Sequence, residues 1–168
     1  MANTYQLISS STLASSAATF SFTSIPQTYT DLVVKCMTRF TGAAVDTWVT
    51  FNANGSGIYS VTTIKGNNAL GSGNSSSQVR FTNMLSDDSG WTANTFSSTD
   101  IYIPNYRLPQ FKQINSASFT ENNSSDEWYQ FGAGLMQSTT AVTSIEFFST
   151  STSFAANSTF SLYGIKDS

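Results

Sequence analysis

Short runs in which apolar and polar residues alternate recur about every ten to fifteen residues along this chain, with Gly, Asn, Asp or Pro between them. A period of two places every second side chain on one face, the mark of a half-buried strand. Many such strands without helical patterns between them confine a chain to an antiparallel sandwich or barrel.

The clearest strand is Asp31 to Phe40, where Leu32, Val34, Cys36 and Phe40 share one face and Lys35 and Arg39 the other. Further strands are expected at Tyr5 to Ile8, Thr19 to Phe22, Trp48 to Ala53, Ile58 to Lys65 and Gln78 to Asn83. The second half of the chain adds Thr95 to Ile103, Lys112 to Glu121, Trp128 to Met136, Val142 to Phe148 and Thr159 to Ile165. Asn54-Gly55 marks a turn, and Pro104, which lacks a donor for the ladder, closes the strand before it. Gly132 and Gly134 predict a bulge or a close backbone approach. The alanines of Ser10 to Ala18 do not make a helix, because the serines between them compete for backbone hydrogen bonds. Longer loops are expected at Gly66 to Ser77, Ser86 to Asn94, Asn105 to Phe111 and Asn122 to Glu127.

The 168 residues suit one domain spanning 1–168, and 13 Phe supply the material of a packed core. Charged residues are 10% of the chain, against roughly 25% in ordinary soluble domains. Ser, Thr and Asn take their place. With a net charge of −3, copies repel each other weakly, and the surface tolerates dense packing. The cations Lys35, Arg39, Lys65, Arg80, Arg107, Lys112 and Lys166 are scattered, which argues against a nucleic-acid partner. No apolar stretch approaches the length of a membrane span, and Met1 to Ser11 lacks the pattern of a signal peptide, so synthesis in a cytoplasm is expected.

The chain has no histidine and one cysteine. Ser-His-Asp and Cys-His nucleophiles, histidine-ligated metals and thiolate zinc sites within one chain are excluded. A carboxylate pair is the remaining route to hydrolysis, and Asp87-Asp88 and Asp126-Glu127 are the clusters from which an acid/base pair or a calcium site would come. Both fall in expected loops, where Asp also serves as an ordinary turn residue. Cys36 alternates with Val34 and Leu32 and reads as a small buried hydrophobe. No catalytic residue, cofactor or metal is expected. Trp91, Tyr106, Trp128 and Tyr129 lie at or near loops, where aromatic rings either contact a partner or a glycan or cap the sandwich.

Four segments carry a resemblance. They are Met1-Ala2-Asn3-Thr4-Tyr5-Gln6-Leu7-Ile8, Ile25-Pro26-Gln27-Thr28-Tyr29-Thr30-Asp31-Leu32-Val33, the stretch from Asn94 to Tyr106, and Phe160-Ser161-Leu162-Tyr163-Gly164-Ile165-Lys166. Together they resemble a family of small virion structural proteins of tailed phages, frequent in cyanophages. The resemblance implies a jelly-roll-like sandwich and a place in the virion. It also implies a cement, or decoration, role as a homotrimer on the major capsid protein lattice. The alternative is a tail-fibre domain that recognises host surface glycan. The matching segments carry no chemistry, so no functional residue transfers with them.

Overall fold

A computed structural model describes residues 5–43, 46–66, 70–85, 90–121, 128–149 and 151–166. Among these residues the chain forms twelve strands and no helix. They are β1 (Tyr5–Thr12), β2 (Thr19–Phe22), β3 (Asp31–Thr38), β4 (Asp46–Phe51), β5 (Tyr59–Gly66) and β6 (Leu70–Gln78), followed by β7 (Phe81–Leu85), β8 (Ser97–Ile103), β9 (Lys112–Thr120), β10 (Trp128–Met136), β11 (Ile145–Phe148) and β12 (Thr159–Ile165).

All pairings are antiparallel, and four of them nest: β1 pairs with β12, β2 with β11, β3 with β8, and β4 with β7. This is the order a two-stranded ribbon takes when it is wound over itself. The winding leaves β1-β12-β3-β8 in one sheet and β2-β11-β4-β7 in the other. The hairpins β5-β6 and β9-β10 join the first sheet and widen it to eight strands, in the order β1-β12-β3-β8-β9-β10-β5-β6. The result is a β-sandwich in which four strands cover one face of eight.

Aromatic rings fill the space between the sheets. Phe160 of the large sheet stacks on Phe20 of the small one at 4.2 Å and lies 5.4 Å from Phe147. Farther along, Phe81 meets Tyr59 at 4.8 Å and Phe51 at 5.2 Å. Each fully buried Phe is worth roughly 1.5–3 kcal/mol of transfer free energy. A Cβ at Gly134 would collide with the Phe81 ring and Ile114, so this strand approaches the small sheet as only glycine permits. The register of β10 runs unbroken against both neighbours, so the glycines give the close approach and not a bulge.

Several boundaries differ from the sequence expectation. The segment Gly66 to Ser77, expected as a loop, contains most of β6, because an outer strand can be held by main-chain bonds to β5 with little side-chain packing. The short strand expected at Gln78 to Asn83 is β7, which begins at Phe81. β4 stops at Phe51, since Asn52 and Ala53 adopt positive φ of 56° and 52° and turn the chain. β3 stops at Thr38, and Phe40 enters the core beyond it against Phe154. β1 runs on to Thr12, through part of the alanine- and serine-bearing segment.

Candidate functional site

The four aromatics singled out from the sequence do not form one site. Tyr106 is 0% exposed: its hydroxyl donates to the Pro26 carbonyl, and its own carbonyl accepts from the Val142 amide at 2.9 Å. Of the two roles expected from the sequence it has the second: it caps the core, and as a contact for a partner or a glycan it is ruled out by its burial. Burial raises its phenol above the ordinary tyrosine value. A tyrosine beside a loop reads as exposed until the carbonyl that satisfies its hydroxyl is known.

Trp91 is half-buried, and its loop is tied down by Arg39. The guanidinium donates to the carbonyls of Trp91 at 3.0 Å, Thr92 at 3.0 Å and Thr95 at 3.1 Å. Trp128 and Tyr129 open β10 and point to opposite faces. Trp128 lies under the Lys65 ammonium at 5.7 Å, and Tyr129 packs over Gly66, where a Cβ would strike its ring. The register puts Trp91, Trp128 and Tyr129 at the end of the large sheet where β3 ends and β8 begins, and Tyr106 at the other end.

Asp87, Asp88, Asp126 and Glu127 lie outside the described residues. Among the described residues no group of three or more Cys, Asp or Glu is placed to hold a metal. Asp31 accepts from the Tyr102 hydroxyl at 2.7 Å and from the Asn105 amide at 2.7 Å, and Glu146 accepts from Thr50 at 3.4 Å. The Cys36 thiol is buried, and burial first, then the Asp100 charge, pushes it far above the ordinary thiol range. It is a packed small hydrophobe and a poor nucleophile. Lys112, 0% exposed, donates to the carbonyls of Leu108 at 2.7 Å, of Gln110, and of Thr139 at 3.4 Å, and so fixes the loop after β8.

The feature that stands out is the outer face of the eight-stranded sheet. Residues alternating with the core, including Tyr5 on β1, Met37 on β3, Tyr102 on β8, Phe119 on β9, Phe131 on β10 and Ile64 on β5, are exposed there. Phe119 and Phe131 meet edge to face at 5.6 Å, and Tyr129 lies 6.3 Å from Phe131. In the middle a shallow groove of about 430 Å³ is floored by Val33 and Ala117 and flanked by Tyr5, Tyr102 and Phe131. The Lys35 ammonium and the Asp100 carboxylate pair beside it at 2.7 Å. Sequence reasoning found Tyr129 and missed the rest. The signal was present in β10, where Trp128, Tyr129 and Phe131 put aromatic rings on both parities.

A smaller cleft of about 180 Å³ is polar, lined by Asp46, Thr63, Lys65, Asn74 and Gln130 among others. Burial raises the Asp46 carboxyl above its ordinary value, and Lys65 partly offsets this.

Compared with protein families, with curated proteins and with solved structures, the chain matches none. The case for function therefore rests on these surfaces and on the residues that build them.

Proposed function

We propose that this protein is a non-enzymatic structural subunit of a phage virion, most specifically a capsid cement protein. In this reading it is made in the host cytoplasm and binds the outside of the lattice of major capsid protein as a homotrimer. The observation that carries the reading is the open aromatic face of the large sheet, whose other face is covered by the small sheet. Exposed apolar patches of this breadth mark surfaces that meet other proteins. The nested strand pairing supports reading the sandwich as jelly-roll-like, an architecture common in viral capsid proteins.

Cement function works by mass action: a subunit that binds the assembled lattice and not its dissociated parts stabilises the lattice. Loops and the N-terminal segment would reach the major capsid protein. Nucleic acid and membrane have no part in this reading. Lys35, Arg39, Arg80 and Lys112 are already engaged by Asp100, by carbonyls or by the Trp48 ring.

The test is to add the purified protein to particles of its own phage that lack it, then locate it by cryo-microscopy and measure heat release of DNA. Density on the capsid lattice and a raised release temperature are expected. Particles that never take it up would sink the proposal.

A second reading is a receptor-binding domain that holds host glycan. The groove favours it, since Tyr5, Tyr102 and Phe131 surround Lys35, Asp100 and Asn115, an apolar platform with a few polar groups. Retention on a glycan array that Tyr102→Ala abolishes would establish it.

A further inference from the structure

We infer that the outer face of the eight-stranded sheet is the contact between copies of this chain, so that the groove at its centre is filled by side chains of a second copy. The inference rests on the assembly reading above and names the surface that reading leaves open.

Size is the first argument. Tyr5, Met37, Ile64, Tyr102, Phe119 and Phe131 are between 36% and 55% exposed. At roughly 150–250 Å² for a large side chain, six of them half exposed present roughly 450–750 Å² of mostly apolar surface. With the Ser, Thr and Asn residues between them the face approaches the about 800 Å² that each partner contributes to a standard stable interface.

Charge is the second. On the strands that build this face, from β1 across to β5, the ionised side chains pointing outward are Asp31, Lys35 and Asp100. Lys35 and Asp100 neutralise each other at 2.7 Å, and Asp31 is held by Tyr102 and the Asn105 amide. A face whose one uncancelled charge, Asp31, is already held by two hydrogen bonds meets its own copy with little like-charge repulsion. A strongly charged partner would find little to complement.

Shape is the third. The face carries projections, the rings of Phe119 and Phe131, and beside them a hollow floored by Ala117 and Val33. A surface with both a knob and a hole can seat its knob in the hole of the next copy, the heterologous contact that closes a trimeric ring.

Light scattering on the purified full chain at micromolar concentration, before and after substitution, tests this. The parent chain is expected to be oligomeric. Phe131→Asp would bury an unpaired carboxylate and is expected to weaken association by roughly 30-fold or more. Ala117→Arg fills the hollow without removing a ring and should have the same effect. Circular dichroism and a cooperative melt identify the variant that remains folded.

A monomeric parent chain overturns the inference. So does an oligomer that survives a folded variant of either kind, although capsid binding would still stand. Loss of capsid binding by a chain whose oligomer is intact would strike the cement reading and leave this one. A folded parent monomer that holds an immobilised glycan through Tyr102 also overturns it.

Discussion

The two faces of the eight-stranded sheet share every backbone hydrogen bond and differ in what lies against them. On β3, Leu32, Val34 and Cys36 are buried under the small sheet, while Lys35 and Met37 between them face outward and are exposed. On β8, Ile101 and Ile103 are buried while Tyr102 is 36% exposed. Both faces carry large apolar side chains, yet the described residues supply one covering layer. Among the described residues the second face has no such layer, and the contrast separates residues that hold the fold from residues available to a partner. Phe160→Ala should test the covered side most severely. It removes a ring packed on Phe20, Phe147 and Phe154, and a cost of about 3–5 kcal/mol is expected in urea unfolding. A cost below about 1 kcal/mol would mean that the inner face is not the sole core.

The covered face is itself divided. Toward one end of the sheet its residues are Leu32, Val34, Ile101, Ile103, Ile114 and Met136, all buried. Toward the other end they become Thr38, Ser97, Thr99, Ser116, Ser118 and Thr120, equally buried. The hydroxyls there satisfy one another: Thr38 and Ser97 at 3.0 Å, Thr99 and Ser118 at 2.9 Å. Buried hydroxyls are tolerable in pairs and costly alone. Ser118→Ala should therefore cost about 1–3 kcal/mol by leaving the Thr99 hydroxyl without this partner. Thr99→Val combined with Ser118→Ala should cost less than the single change. A double variant that loses as much as the two singles summed would show that the pair does not act as a unit.

The strand pattern was legible because period two survives wherever one face is buried. β2, β10 and β12 fall where Thr19 to Phe22, Trp128 to Met136 and Thr159 to Ile165 predict them. β6 was not legible, since Gly71, Ser72, Gly73 and Asn74 carry no strand preference of their own and are ordered by β5 beside them. The burial of Tyr106 was hidden for a related reason: the Pro26 carbonyl that accepts from its hydroxyl lies 80 residues away in sequence. The open face was hidden for the same reason. Alternation places Phe119 with Ala117 on one strand and Phe131 with Tyr129 on another, but that the two pairs share a side is settled by the β9–β10 register, and which side the four-stranded sheet covers by the nested pairing.

Near the edge of the covered face, a charge has been drawn into the boundary. Asp46 starts β4 beside the polar cleft, and burial raises its carboxyl above the ordinary 3.8 despite the opposing pull of Lys65. A raised folded value means that the folded chain holds the proton after the unfolded chain has released it. The contribution to stability is then fully present below 3.8 and is lost as pH rises through the folded value. Asp46→Asn cannot titrate, so its unfolding midpoint should fall less than the parent's over that interval. The variant should gain on the parent as the solution approaches neutrality. Urea titrations at several pH values decide it, and parallel curves would show that Asp46 is solvated as an ordinary turn carboxylate.

The smallest effect belongs to the open face and bears most directly on the contrast. Met37 follows Cys36 on β3 and points to the other side of the same sheet, 52% exposed where Cys36 is 5%. Met37→Ser removes an apolar side chain from water and leaves no cavity in the core. In protein dilute enough to separate copies, its midpoint should stay within about 0.5 kcal/mol of the parent. Cys36→Ser changes one atom, yet it puts a hydroxyl where the chain has packed a thiol. It should cost more than the Met37 variant despite being the milder substitution. If Met37→Ser costs as much as Cys36→Ser in dilute protein, Met37 is packed within a single copy. In concentrated protein the same Met37 variant should lose stability relative to the parent, because the parent then gains from association and the variant gains less.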